Sequence, residues 1–269
     1  MRAEIETTTP VSFYHRAPRV PLADFVELFW YWSGHPRMDE RERILPMPNL
    51  EFVIQLRDSH PYAGVSGPRS ESFIIDRREA SAILGIHFKP GGAFPFLGCA
   101  FGELHNTHAS LVELWGEKRA RRLLELLHAA PTVDLKFDIL ERWLLWIADR
   151  PLKHHAAVTF AVKKFREDPG LFSSERLARE ANMSQRRFIE LFRDEIGMTP
   201  KLFCRVQRFQ NVINWINQQA EVDWVDVALS HGYTDQSHFI HDFREFSGLK
   251  PSEYLGLRTE SLNHVRFRE

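Results

Sequence analysis

The stretch over residues 232–246 (Gly-Tyr-Thr-Asp-Gln-Ser-His-Phe-Ile-His-Asp-Phe-Arg-Glu-Phe) restricts the fold of this chain most, because a second copy of its pattern lies upstream. Gly232 allows a tight turn, and Thr234 or Asp235 can then cap a helix by accepting a free backbone N–H. Phe239, Phe243 and Phe246 recur at four- and three-residue steps and share one helical face. Gln236, Ser237, His238, His241 and Arg244 lie on the other face, and all can donate hydrogen bonds. Upstream, Ser184 can cap a helix over residues 185–196, which Gly197 ends. Thr199-Pro200 opens a longer helix to about Asn217, with Leu202, Phe203, Val206, Phe209, Val212, Ile213 and Ile216 as its buried stripe. A short helix precedes each copy, one capped by Ser173 or Ser174 and one by Asp223. Aligning the copies sets Leu177-Ala178 on Val227-Ala228, Phe188 on Phe239, Phe192-Arg193 on Phe243-Arg244, Gly197 on Gly248 and Pro200 on Pro251. Two helix-turn-helix units joined by one long linker helix account for every break.

The first half reads differently. Residues 22–32 are apolar and aromatic, a short helical turn leading into a strand, and residues 50–56 and 82–88 are rich in β-branched and aromatic residues. Gly64, Gly67 and Pro68 mark turns around Val65 and Phe73. Short strands at this spacing predict an antiparallel sheet or small barrel. Residues 111–115, 119–128 and 137–147 have helical spacing, and Arg150-Pro151 ends the last of them. The expected fold is therefore α+β: a strand-rich domain with helices over residues 1–150, then an all-α domain over residues 151–269. Asp168-Pro169-Gly170 breaks the first helix of that second domain, and residues 1–18 read as a loosely attached leader.

A length of 269 residues suits two domains of ordinary size, and 43% hydrophobic with 26% charged residues is the balance of a soluble globular protein. No apolar run is long enough to span a bilayer and no signal-peptide pattern begins the chain, so the expected location is cytoplasmic. A net charge of -1 removes any global argument for nucleic acid, and a binding surface has to be a local patch. Cys99 and Cys204 are too isolated for a disulfide framework or a zinc site. His105 and His108 lack a third ligand and read as loop histidines, and His154-His155 are adjacent rather than helically spaced. Neither a metal, a cofactor nor a catalytic constellation is expected. Lys89-Pro90-Gly91-Gly92 lacks the spacing of a phosphate loop and is expected to shape a strand exit or a pocket rim. Phe29, Trp30 and Trp32 read as core.

The C-terminal hundred or so residues resemble the DNA-binding domain of the AraC family of bacterial transcription regulators. The residues that carry the likeness are Leu177-Ala178, Ser184, Phe188, Phe192-Arg193, Gly197, Pro200 and Arg208, then Ala228, Gly232-Tyr233, Asp235 through Phe239, Phe243-Arg244, Gly248, Pro251 and Tyr254. From Pro21 through the Lys89-Pro90-Gly91-Gly92 segment to Leu114-Trp115-Gly116, the chain resembles more loosely an uncharacterised domain often fused to such regulators. The resemblance implies a transcription regulator that binds promoter DNA, with RNA polymerase, a small-molecule effector and a second copy of the chain as further partners and no membrane association. Two recognition helices on one linker helix would meet successive major-groove segments about 34 Å apart. The resemblance puts base contacts on Gln185, Arg186, Ile189 and Glu190 in the first helix, and on Gln236, Ser237, His238 and His241 in the second. Of these, His238 is expected to brace the turn rather than to touch a base. Arg187, Arg193, Lys201 and Arg244 suit phosphates, where charge matters and sequence does not. Arg186 is the expected direct reader, since a guanidinium can bind guanine through two hydrogen bonds. Glu190 and His241 stand where the family commonly carries arginine. Glu190 can accept from cytosine or pair with Arg186 or Arg193 on its own helix, and His241 donates weakly at neutral pH.

Two other classes stay open. An alkyl-transfer repair enzyme carrying the same DNA-binding module would need a reactive cysteine, and neither Cys99 nor Cys204 has a neighbouring base or cation in sequence. A DNA-independent ligand-binding protein would use its helical half for protein contacts alone. The promoter, the sign of regulation, the effector and the oligomeric state are not written in the sequence.

Overall fold

The computed structural model describes residues 12–34, 41–56, 62–76, 82–167, 173–259 and 261–267. Its first part is built from strands β1 (Ser12–Arg16), β2 (Val26–Ser33), β3 (Arg41–Ile44), β4 (Glu51–Gln55), β5 (Tyr62–Ser66), β6 (Phe73–Asp76), β7 (Ala82–Phe88) and β8 (His108–Ser110). Six of them form one sheet in the order β1-β2-β7-β4-β5-β8, antiparallel at every pairing. Side chains alternate across a strand, so the opposed residues Phe29, Ile86, Phe52 and Val65 fall on one face. Helices α1 (Leu111–Trp115), α2 (Glu117–Ala129) and α3 (Val133–Ile147) close that face, and Leu111, Trp115, Leu123, Leu127, Phe137, Leu140 and Leu144 share its core.

Residues 12–16, read as part of a loose leader, are instead the edge strand β1, with His15 opposite Trp30. The strand exposes most of its residues, Phe13 and Tyr14 included, so it has no apolar alternation to read. His108 lies in β8, not in a loop. Phe29 is core as expected, whereas Trp30 lies on the opposite face with its indole over Gly85. The predicted break at residues 168–170 lies outside the described residues.

The second part is helical: α4 (Ala156–Glu167), α5 (Ser174–Glu180), α6 (Gln185–Ile196), α7 (Pro200–Ile216), α8 (Trp224–Ser230), α9 (Gln236–Ser247) and α10 (Pro251–Leu257). Its core runs from Val158 through Phe188, Phe192, Phe203, Phe209, Phe239 and Phe243 to Tyr254. The duplication has a physical basis in local hydrogen bonds. Ser173, Ser184, Thr199, Asp223 and Asp235 each cap a helix by accepting backbone N–H groups. Met183 N–H donates to Ala178 C=O and Tyr233 N–H to Ala228 C=O, both at 3.0 Å, closing the two turns alike. Asn182 at φ 53° and Gly232 at φ 74° hold equivalent left-handed positions.

The two parts interlock. Strand β9 (His264–Arg266) pairs with β3, completing a small sheet in the order β6-β3-β9. Leu45 belongs to the helical core, its N–H donates to Asn263 C=O at 2.9 Å, and Gln210 Nε2 donates to Pro46 C=O at 2.6 Å.

Candidate nucleic-acid interface

Helix α6 buries Phe188, Phe192, Glu195 and Ile196 and turns its N-terminal polar positions outward. Gln185, Arg186, Arg187 and Glu190 are exposed, and Ile189 is half-buried. Ser184 Oγ, the cap, accepts from Arg187 N–H at 3.3 Å. Arg186 Nε donates to Glu190 Oε1 at 2.9 Å, the intrahelical pairing that the i,i+4 spacing permits, while the Arg186 side chain stays 89% exposed. The carboxylate raises the already basic Arg186 further, through the hydrogen bond first and its charge second. Gln185 Nε2 donates to Ser174 Oγ at 3.2 Å, tying α6 to the preceding helix. Lys201, in the first turn of α7, is exposed.

Helix α9 repeats the scheme with weaker chemistry. Asp235 accepts from His238 N–H at 2.8 Å, and Phe239, Phe243 and Phe246 are fully buried. Gln236, Ser237, His241 and Arg244 face outward, and Ser237, Ile240, His241, Arg244 and Glu245 line one shallow trough. His241 Nδ1 lies 3.8 Å from Glu245. His238 packs edge-on against Tyr233 at 5.3 Å, and Thr234 N–H donates to its Nδ1 at 3.4 Å, so its ring braces the turn. Arg193, grouped in sequence with the phosphate-contacting residues, runs alongside Gly102, its Nε 3.2 Å from where a Cβ on that glycine would stand.

Two arginines of α7 were given no role by sequence reasoning. Arg205 Nη2 donates to Asp242 Oδ1 at 2.8 Å and Glu245 Oε2 at 2.7 Å, binding α7 to α9. Burial by itself lowers its basicity, and the two carboxylates outweigh that and raise it. Arg208 Nη1 donates to Gly232 C=O at 2.9 Å and its guanidinium lies over the Tyr233 ring, propping the second turn. Neither contact has a local spacing that a sequence could reveal. His241, Asp242 and Glu245 bring ligand atoms within 4.8 Å of one another, but Arg205 already pairs with both carboxylates. The group is an ion-pair network and not a metal cage.

The remaining sequence candidates do not converge. His105 Nε2 lies 3.1 Å from Ser70 Oγ, and burial, with Arg193 and Arg69 nearby, holds its pKa down despite Glu71. Burial pushes the Cys204 thiol up to about 12 and raises that of Cys99 as well, so both resist forming the thiolate an alkyl-transfer enzyme needs. Among the described residues no helix is long and apolar enough to cross a membrane.

Comparison with known families matches residues 177–256 to a helix-turn-helix domain and residues 14–110 to a domain of unknown function (DUF6597). An uncharacterized HTH-type transcriptional regulator of Haemophilus influenzae is 35% identical over 80 residues, which is 30% of this chain and only 26% of that protein. The HTH-type transcriptional activator RhaR of Escherichia coli is 21% identical over 254 residues, covering 88% of this chain and 86% of that protein. Among solved structures, ToxT from Vibrio cholerae covers 92% of this chain and 97% of its own at 11% identity and a TM-score of 0.40. The C-terminal domain of AraT from Geobacillus stearothermophilus covers 40% of this chain and 91% of its own at 19% identity and a TM-score of 0.37. With their paired caps, matched turns and aromatic-backed helices, residues 177–256 are a helix-turn-helix domain of the AraC type, carried behind the DUF6597 domain.

Proposed function

We propose that the chain reads two successive major-groove segments of promoter DNA, one with α6 and one with α9. The observation that carries this reading is the duplication: two helices each capped by a side-chain oxygen on the third backbone N–H, with buried aromatic backs and exposed donor-bearing fronts, joined by the 17-residue α7. At 1.5 Å per residue that linker is about 25 Å long, commensurate with the ~34 Å between groove segments on one DNA face. Arg186 is the principal base reader, with Gln185, Ile189 and Glu190 beside it. Gln236, Ser237 and His241 make the second set of contacts. Arg187, Lys201 and Arg244 engage phosphates, and Arg193 does so from its place beside Gly102. Arg186 must exchange Glu190 for guanine, a trade between two charge-assisted partners that leaves Glu190 free for a cytosine amino group.

Residues 151–269 form the reading domain and residues 1–150 the effector-sensing or dimerisation domain, supported by two apolar cores, the helical one taking in Leu45 as well. The chain has no catalytic role, works in the cytoplasm and acts on RNA polymerase at the promoter. Duplexes selected from a random pool, followed by gel shift with Arg186→Ala, test the reading. Selectivity that survives the substitution removes Arg186 as a reader, and failure to enrich any sequence removes sequence-specific binding.

A further inference from the structure

The C-terminal ends of α6 and α9 occupy equivalent places in the duplication, each capped by a glycine in the left-handed region, Gly197 at φ 89° and Gly248 at φ 71°. The N-terminal domain holds both ends. At α6, a Cβ placed on Gly197 would stand 2.8 Å from Phe101 and from Pro68, and one placed on Gly91 of the Lys89-Pro90-Gly91-Gly92 loop would stand 2.8 Å from Ile196. The Glu195 carboxylate, 3% exposed, takes His154 Nδ1 at 2.6 Å and the His155 N–H at 3.2 Å. His154, at the start of the reading domain, passes that grip to the N-terminal domain by stacking on Phe25 at 4.7 Å, at the root of β2. At α9, Ser247 C=O accepts from Arg43 Nη1 of β3 at 3.1 Å and from Ser72 Oγ at 3.3 Å. Arg43 also fills the space where a Cβ on Gly248 would stand. A cation at a helix C-terminus meets the negative end of the helix dipole, so the Arg43 contact is favourable beyond its hydrogen bond.

We infer that the N-terminal domain is a two-point clamp that fixes the relative placement of the two recognition helices by gripping the equivalent ends of α6 and α9. Ordinary domain contacts fall anywhere on the two surfaces, whereas these fall on corresponding turns of a duplicated element. The clamp also gives the Lys89-Pro90-Gly91-Gly92 loop a task, since Gly91 lets the chain pass directly over Ile196. Displacement of β3 or of that loop would shift one recognition helix against the other. This is a rigid-body switch of the kind that couples a distant domain to a binding surface. Its consequence for DNA rests on the proposed two-groove reading, while the clamp itself does not.

The full-length protein tests this without DNA. Spin labels at Arg187→Cys and Ser237→Cys in a Cys99→Ser background report the distance between α6 and α9, and Cys204 stays unlabelled because it is buried and its thiol is pushed up to about 12. The intact clamp is expected to give one narrow distance distribution. Arg43→Ala and His154→Ala should each widen it, together by roughly two-fold, with cooperative unfolding retained. Ser72→Ala, which removes one of two donors to Ser247, provides a milder arm should either alanine variant fail to fold. Unchanged widths in the folded variants overturn the clamp. On a selected duplex, changing the spacing between half-sites should weaken the parent protein, and Arg43→Ala should shrink that penalty by about 10-fold. Absence of any selected duplex would sink the DNA reading alone, and the distance measurement would still decide the clamp.

Discussion

In the first helix-turn-helix unit the turn closes on Asn182 and passes straight to the cap Ser184, whereas the second closes on Gly232 and carries one more residue, Thr234, before its cap Asp235. Behind those turns the two units are nearly superposable in chemistry: Phe188 answers Phe239, Phe192 answers Phe243, and both pairs are fully buried. Their fronts diverge. Arg186 stands where the second unit has Ser237, Arg187 where it has His238, and Glu190 where it has His241. The preceding helices diverge as well, since Glu175 and Arg179 of α5 correspond to Val225 and Leu229 of α8, which are 50% and 61% exposed. Interior positions are held by close packing, which feels a change of even one methylene. Exterior positions are free to follow whatever they touch. The difference therefore separates a first helix that presents Arg186 and Arg187 to the outside from a second helix whose carboxylates are already committed to Arg205.

The comparison can be broken at the core first. Phe188→Ala and Phe239→Ala should each cost about 3–5 kcal/mol of unfolding free energy by urea titration, and a gap between them larger than either would end the claim that the units pack alike. At the surface the units should separate. Arg186→Ala is expected to lose roughly 5- to 100-fold on the selected duplex with little change on random DNA, and His241→Ala less than about 5-fold. A larger loss for His241→Ala in the same gel shift would invert the assignment of reader and anchor. The caps should restore symmetry, with Ser184→Ala and Asp235→Ala each costing about 1 kcal/mol in the urea midpoint series. Smallest of all, Arg187→Ala and Arg244→Ala should each lower the slope of log affinity against log salt by about 1. A slope unchanged by Arg244→Ala would take that residue off the phosphates.

What could be read from the sequence follows from how local each interaction is. Caps, αL glycines and the Phe spacing act within a few residues, so α6 and α9 were legible almost to their ends, and β7 was read at its observed bounds. Strand β1 was not legible, because an exposed edge strand is chosen by the bonds it makes with β2 and not by its own apolar pattern. Nor was the β3–β9 pairing, which joins segments with no shared periodicity. The outward face of α9 followed from helical phase, and the outward positions of α6 from the resemblance to the AraC family. Arg205 reaching Asp242 and Glu245, and Arg193 lying along Gly102, depend on the tertiary arrangement and left no mark in the spacing. The Lys89-Pro90-Gly91-Gly92 loop was recognisable as a turn, yet its neighbour Ile196 is more than a hundred residues away.

The small sheet also imposes an order of events in time. Glu42 of β3 and His264 of β9 meet across 222 positions of chain, with the whole helix-turn-helix domain between them. At ribosomal speeds of about 5–20 residues per second, β3 waits on the order of ten seconds or more before its second neighbour exists. Through that interval one side of β3 offers unpaired backbone groups to any passing strand. A chaperone that shields nascent edges should therefore raise the yield of this protein more than a change in its final stability would.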